Sequence, residues 1–102
     1  MNIEVYKVGE ELDAINYSQV QDEISAILEK SSSVVLDMTD CRYVSSSGLR
    51  VLLYSEKVAS SKGQKLYLVG LSAQVKDIME VTGFNNFFDS FKTIEECMQH
   101  IK

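Results

Sequence analysis

The segment from Val34 to Leu53 constrains the fold of this chain more than any other stretch. It begins with Val34-Val35-Leu36, an apolar run without polar alternation, which is typical of a strand covered on both faces in a parallel sheet. Serines then fill most of Ser45–Gly48, directly before the apolar-periodic Leu49–Leu53, and this order predicts the start of a helix. Unpaired N–H groups and the positive end of the helix dipole meet at such a start. A phosphate, belonging to a ligand or attached to a serine, would be well accommodated there.

Periodicity in the rest of the chain predicts strands and helices in regular alternation. The predicted strands are Asn2–Val8, Val34–Met38, Lys65–Gly70 and a short one within residues 84–91. The predicted helices begin after Asn16, Ser72 and Thr93, with another from about Ser46 to about Ser61. Short connections favour one compact α/β domain over residues 1–102, with a central mixed sheet of about four strands and with about four helices.

The start of the first helix is predicted in more detail. Asn16 is a good N-cap, and Gln19 is placed to complete a capping box. Ile15 and Val20 would form the accompanying hydrophobic staple. Residues 10–15 are predicted to be a loop, so a single strand is expected before this helix.

The composition favours a cytoplasmic protein whose partner is another protein. A net charge of −5 argues against binding to nucleic acid and against direct binding to an anionic membrane surface. No apolar run approaches the roughly eighteen residues of a membrane span, and the N-terminal residues 1–11 carry acids where a secretion signal has basic residues. Cys41 and Cys97 lack motif spacing, which indicates free thiols packed as small hydrophobic groups. His100 has no metal-ligating neighbours in the sequence and is expected at the surface, and no metal or cofactor is expected.

A helical wheel divides the second helix into sides of different character. The side expected to pack against the sheet carries small and aliphatic residues: Gly48, Val51, Leu52, Ser55, Val58 and Ala59. Arg50 lies on the opposite side with Tyr54 and Lys57, and Leu49 and Leu53 fall on the flank between the two. Leu49, Arg50 and Leu53 are therefore candidate contacts for a partner protein. Peripheral core for the two leucines and a solvated position for Arg50 are the competing interpretations.

Three segments match one known pattern in order and spacing. Glu11-Leu12-Asp13 lies before the first helix, Val34–Asp37 is followed by Tyr43–Leu49, and the third segment runs from Ser72 to Glu96. They are similar to the G-x-L-D motif, the strand with its D-S-S/A-G-L loop, and the C-terminal half of the STAS domain. The chain thus resembles the STAS domain of bacterial anti-sigma factor antagonists over nearly its whole length.

The resemblance implies a protein-binding switch and not an enzyme. Members of this family bind an anti-sigma factor, often one with a histidine-kinase-like ATPase fold, and so free a sigma factor. The kinase phosphorylates the serine after the loop aspartate, and a metal-dependent Ser/Thr phosphatase restores it. By position, the phosphoacceptor is Ser46, and Ser45, Ser47 and Gly48 form the rest of the phosphorylation loop at the helix N-terminus. Asp13 is expected at the partner surface.

Several positions depart from the family pattern. The loop aspartate is replaced by Ser45, and Asp13, Asp37 and Asp40 are the acidic groups that could take its place. The glycine of the G-x-L-D motif is replaced by Glu10. The chain also has room for only one strand of the hairpin with which the family usually begins.

Other interpretations of the serine run remain open. The serines could serve as a helix cap alone, in a STAS subunit that is never phosphorylated and belongs to a transporter, a stress-signalling assembly or a lipid-export complex. A small phosphate- or flavin-binding protein of flavodoxin type would normally carry this loop after the first strand of a longer chain. A cysteine phosphatase built on Cys41 would need an arginine in place of Ser47.

Overall fold

The computed structural model describes residues 2–30 and 32–101, and strands and helices alternate along them. The strands are β1 Ile3–Lys7, β2 Glu11–Leu12, β3 Ser33–Asp37, β4 Tyr43–Val44, β5 Leu66–Val69 and β6 Asp89–Phe91. The α-helices are α1 Tyr17–Glu29, α2 Ser46–Ser61, α3 Ala73–Thr82 and α4 Ile94–Ile101, and a 3-10 helix spans Phe84–Phe87. The predicted α/β architecture with about four helices is confirmed, and α2 has the predicted bounds.

The central sheet has the strand order β1-β3-β5-β6, and every neighbouring pair in it is parallel. Val34 of β3, for example, lies opposite Glu4 on one side and Leu66 on the other. The prediction of about four strands is confirmed, but a mixed sheet is wrong for the described residues. Each strand of this sheet reaches its neighbour through a helix, and crossovers of this kind join parallel strands.

A second, smaller ladder lies where the sequence predicted a loop. Glu11 and Leu12 form β2, which pairs in parallel with Tyr43 and Val44 of β4. The predicted loop over residues 10–15 is therefore wrong in part, and a second strand does precede the first helix. A two-residue strand is too short to give a periodic pattern, and the fully buried side chain of Leu12 is the feature that anchors it.

The core lies on both faces of the central sheet because alternate strand residues point to opposite sides. Val34 and Leu36 face the side covered by α1, α2 and α3, whose core residues include Val20, Ile24, Leu28, Leu52, Val75 and Met79. Val35 faces the other side, where α4 contributes Cys97. Each fully buried aliphatic side chain stabilises the fold by about 1.5–3 kcal/mol. Three consecutive crossovers of the same hand place α1, α2 and α3 on one face.

The start of α1 differs from the prediction. Asn16 is the N-cap by position, but its side chain makes no capping hydrogen bond, so the capping box with Gln19 does not form. The Asn16 Oδ1 atom instead accepts a hydrogen bond from the Asp13 N–H at 2.9 Å. Ile15 is 92% exposed, and the predicted staple with Val20 is therefore absent. The loop before α1 is stabilised by its own polar contacts, which the sequence pattern did not distinguish from a cap.

The starts of α3 and α4 agree with the prediction. The Ser72 hydroxyl accepts the N–H three residues further along at 3.2 Å. Thr93 accepts the Glu96 N–H at 3.1 Å, but the Glu96 carboxylate accepts the Lys92 N–H at 3.3 Å and not that of Thr93, so only half of the predicted capping box forms. Gly83 ends α3 with a φ of 78°, in the left-handed region that favours glycine. Within the described ranges, no helix combines the length and apolar character needed to cross a membrane.

Candidate functional site

Ser45 fixes the loop that leads into α2. It is the N-cap of this helix, with extended backbone angles, and its Oγ atom accepts the Gly48 N–H at 3.2 Å. Its own N–H donates to the Leu12 carbonyl at 2.9 Å, so the loop is also tied to β2. Ser45, which replaces the family aspartate, therefore serves as the cap of α2, because its side-chain oxygen satisfies a helix N–H that would otherwise be unpaired.

Gly48 allows α2 to approach the β2–β4 ladder closely. A Cβ atom at this position would lie 2.5 Å from the Leu12 carbonyl oxygen and 2.9 Å from a methyl carbon of Val44. Real Cβ atoms do not approach backbone oxygens so closely, and only glycine fits without a shift. The glycine therefore sets the position of the serine loop relative to the rest of the domain.

Ser46 and Ser47 occupy different environments although they are adjacent. Ser46 is the first residue of α2 and is exposed, and none of the side-chain hydrogen bonds among the described residues involves it. Ser47 is half-buried, and its Oγ atom accepts a hydrogen bond from Arg50 Nη2 at 3.4 Å. Ser46 is therefore the member of the serine run whose hydroxyl is accessible and not used by the fold.

A groove of about 590 Å³ lies between α1 and α2, beside the serine loop. We call it the α1–α2 groove, and its lining residues are Tyr17, Gln21, Ser47, Arg50, Val51, Leu53, Tyr54 and Lys57. Tyr17 and Tyr54 are 42% and 50% exposed. Neither tyrosine was predicted as a site residue. The one signal was the position of Tyr54 on the solvent side of α2, whereas Tyr17 falls in the apolar stripe of α1.

The two candidate leucines differ in burial. Leu49 is 6% exposed and belongs to the main core, so the competing interpretation of this residue as core is confirmed and its candidacy as a partner contact is wrong. The close packing of Gly48 against β2 leaves the next residue covered as well. Leu53 is half-buried and lines the α1–α2 groove together with the exposed Arg50. Leu53 and Arg50 are thus brought together at one surface, whereas Leu49 is not available to a partner.

The acidic groups considered as replacements for the loop aspartate are engaged elsewhere. Asp13 is half-buried, and its Oδ1 atom accepts the Ile15 N–H at 2.9 Å. It directly follows Leu12, whose carbonyl accepts the Ser45 N–H. Asp37 accepts the Thr39 N–H at 3.0 Å. Asp40 forms an ion pair with Lys7 at 3.1 Å. Asp13 and Asp37 therefore hold their own loops, and Asp40 pairs with the end of β1.

Neither cysteine offers nucleophilic chemistry. Cys41 and Cys97 are free and fully buried, as predicted. Burial raises the pKa of each thiol, which is opposite to the shift that activates a cysteine. His100 is exposed as predicted, and its ring packs 5.0 Å from that of Phe91. Among residues 2–30 and 32–101, no three His, Cys, Asp or Glu side chains converge closely enough to hold a metal ion.

Comparison of the sequence with known proteins gives a family match and several relatives. A family model described as the STAS domain matches residues 2–97. BtrV of Bordetella bronchiseptica, which is named as an anti-sigma factor antagonist, is 33% identical over 78 residues, covering 76% of this chain and 67% of BtrV. The anti-sigma-B factor antagonist of Listeria monocytogenes is 27% identical over 95 residues, covering 92% of this chain and 82% of that protein.

Solved structures have the same fold. An anti-sigma factor antagonist from Thermotoga maritima superposes with a TM-score of 0.89 at 20% identity, over 96% of this chain and 86% of that one. Unphosphorylated SpoIIAA, an anti-sigma factor antagonist, has a TM-score of 0.82 at 18% identity, over 98% and 88%. A sulfate transporter family protein from Wolinella succinogenes has a TM-score of 0.77 at 17% identity, over 96% and 83%. At these identities the likeness to solved structures shows the fold alone. The two sequence relatives above are named as anti-sigma factor antagonists, and the match to the family model shows that the chain belongs to the STAS domain family.

Proposed function

We propose that this chain is an anti-sigma factor antagonist that works as a non-catalytic, phosphorylation-controlled binding switch in the cytoplasm. In its unphosphorylated form it binds an anti-sigma factor with a kinase-like ATPase fold. Phosphorylation of Ser46 by that kinase releases the partner, and a Ser/Thr phosphatase reverses the modification. The observation that carries this proposal is the exposed Ser46 hydroxyl at the first position of α2, beside a partly apolar groove.

The surroundings of Ser46 support a switch that acts at the surface. Added negative charge in the first turn of an exposed helix is favourable by about 0.3–1 kcal/mol, so a phosphate should not loosen α2. The same phosphate places roughly −2 of charge and a strongly hydrated group beside the groove. Desolvating that group against a partner without a basic pocket opposes binding. Phosphorylation is therefore expected to change affinity and not the fold.

The proposed contact surface surrounds the N-terminal end of α2. It comprises Arg50 and Leu53 from the α1–α2 groove, and Asp13 from the loop whose neighbour Leu12 holds the serine loop. Leu49 is left out because it is buried in the core. Ser45 and Gly48 belong to the site through their effect on its position and not through contact.

The test compares charged and neutral substitutions of Ser46 in thermal melts and in titration calorimetry with the purified anti-sigma factor. Ser46→Asp should leave the Tm nearly unchanged and weaken binding, whereas Ser46→Ala and Ser47→Ala should both keep binding. Ala73→Asp is a matched control, because Ala73 is the exposed first residue of α3 and receives the same charge at the same helix position. This control should leave the affinity unchanged.

Two results would count against the proposal in different ways. No binding of the wild-type chain to an anti-sigma factor would remove the antagonist function. Equal affinity of Ser46→Asp and wild type would remove the switch alone. The second result would leave a STAS subunit that is never phosphorylated, an interpretation favoured by Ser45 in place of the family aspartate. Mass analysis of the chain purified from its own cell, looking for one added phosphate on Ser46, gives an independent answer.

A further inference from the structure

The α1–α2 groove combines apolar surface with positive charge. Its lining includes Tyr17, Tyr54 and Leu53, which offer aromatic and aliphatic surface, and the two cations Arg50 and Lys57. The ion pairs formed among the described residues involve Lys7, Lys30 and Arg42 and neither of these two cations. The groove is therefore positively charged and partly apolar in a chain whose net charge is −5. Such a surface complements an acidic, amphipathic partner.

The spacing of the cations describes the occupant further. Lys57 follows Arg50 by seven positions on α2, which corresponds to two helical turns and about 10.5 Å along the axis. Leu53 and Tyr54 lie between them in the groove. The α2 part of the lining extends from Ser47 to Lys57, about 15 Å, which is longer than a small anion requires. A helix laid along α2 would meet both cations with two acidic residues seven positions apart and would place apolar side chains between them.

From this arrangement we propose that the α1–α2 groove binds an acidic amphipathic helix of the anti-sigma factor, with acids at positions i and i+7 and apolar residues at i+3 and i+4. The inference rests on the proposed function, since the groove would be part of the surface that meets that factor. The mode is a helix in a groove, in which apolar anchors give affinity and flanking charges give orientation.

The groove also suggests how a phosphate on Ser46 would weaken binding of the helix. Arg50 Nη2 already points toward the start of α2, where it donates to Ser47 Oγ at 3.4 Å. A guanidinium forms strong hydrogen bonds with phosphate oxygens. A phosphate on the neighbouring Ser46 would draw Arg50 to itself, so that the groove loses one of its two cations at the moment when negative charge appears beside it.

The groove itself is tested by NMR titration of the ¹⁵N-labelled chain with a synthetic peptide. The peptide is stapled, because helices shorter than about 12–15 residues are marginal in water, and it carries Glu at i and i+7 with Leu at i+3 and i+4. Chemical shift changes should concentrate on groove residues such as Tyr17, Leu53 and Tyr54. The affinity of the Arg50→Glu, Lys57→Glu double variant for the peptide should be lower by a factor of about ten or more. Lys62→Glu, an exposed lysine outside the groove lining, should bind as the wild type does.

The control peptide has Lys in place of both Glu residues and should bind far more weakly. Absence of shift changes with the acidic peptide, changes centred elsewhere, or equal binding of the two peptides would each overturn the inference. The same variants are then titrated with the purified anti-sigma factor. If the wild type binds that factor and the double variant binds equally well, the groove is not the docking site and the antagonist function stands. If the wild type does not bind the factor, the proposed function fails, and the peptide titration alone decides whether the groove binds acidic helices.

Discussion

Replacement of Gly48 by alanine should destabilise the fold, although alanine is the better helix former. Helix propensity alone would favour Gly48→Ala by about 1 kcal/mol. The new Cβ atom, however, would lie 2.5 Å from the Leu12 carbonyl oxygen. That carbonyl already accepts the Ser45 N–H at 2.9 Å, so it cannot move away without weakening a hydrogen bond worth about 1 kcal/mol.

Overpacking of this kind typically destabilises by about 1–3 kcal/mol. After subtraction of the propensity gain and addition of the weakened hydrogen bond, the expected net loss for Gly48→Ala is about 1–3 kcal/mol. A domain of this size loses about 4–8 °C in Tm for each kcal/mol, so the shift is easily measured.

Urea denaturation and thermal melts, followed by circular dichroism, provide the measurement. Gly9→Ala is the matched control, since a Cβ atom at Gly9 would meet nothing within 4 Å. The control should be neutral or slightly more stable than the wild type, because alanine restricts the unfolded chain. If Gly48→Ala were as stable as Gly9→Ala, the close approach of α2 to β2 would not depend on that glycine.

Other substitutions and conditions test the packing of α2 and the buried thiols. Leu52→Ala removes a fully buried side chain and should lower the free energy of unfolding by about 2–5 kcal/mol, whereas Leu53→Ala at the groove should lower it clearly less; equal losses in urea melts would contradict the assignment of these faces. Ser45→Ala removes the N-cap of α2 and should lower the free energy of unfolding by about 1 kcal/mol in the same assay. Unchanged stability would mean that the cap contributes nothing. Burial raises the pKa of Cys41 and Cys97. Above about pH 8.5 the unfolded chain therefore loses thiol protons that the folded chain retains. These thiols should not affect the free energy of unfolding below that pH, and they should lower it as the pH rises further. Replacing both cysteines by alanine should weaken this fall above about pH 8.5, and an unchanged slope would assign it to other groups.

Strong local signals account for what the sequence predicted correctly. The apolar run at β3 predicted the central strand, and the serines before α2 predicted the start of that helix, because burial and capping each leave a signal within a few residues of sequence. Ser72 and Thr93 located α3 and α4 for the same reason. Every pair in the central sheet is parallel because helical crossovers connect its strands. The alternation of strands and helices in the sequence therefore implied a parallel sheet, and the prediction of a mixed sheet overlooked this.

The parts that the sequence could not give depend on contacts between distant segments. The β2 strand forms because Leu12 pairs with Val44, and two residues give no pattern of their own. Leu49 is buried because Gly48 lets α2 approach β2 closely, so that the next residue is covered as well as the predicted core side of the helix. The α1–α2 groove exists only between two packed helices, so Tyr17 and Tyr54 cannot be recognised as neighbours from either helix alone.

The position of β1 at one end of the central sheet has a consequence for solubility. Its outer edge carries backbone groups that no other strand pairs in the described chain, and such an edge is a template for association with further copies. The strand carries two charged side chains, Glu4 and Lys7, which form surface ion pairs with Lys30 and Asp40. Charged residues on an edge strand oppose its pairing with a strand of another copy, and salt screens such surface charges. The colloidal behaviour of this domain therefore depends on ionic strength through a strand that takes no part in the proposed switch.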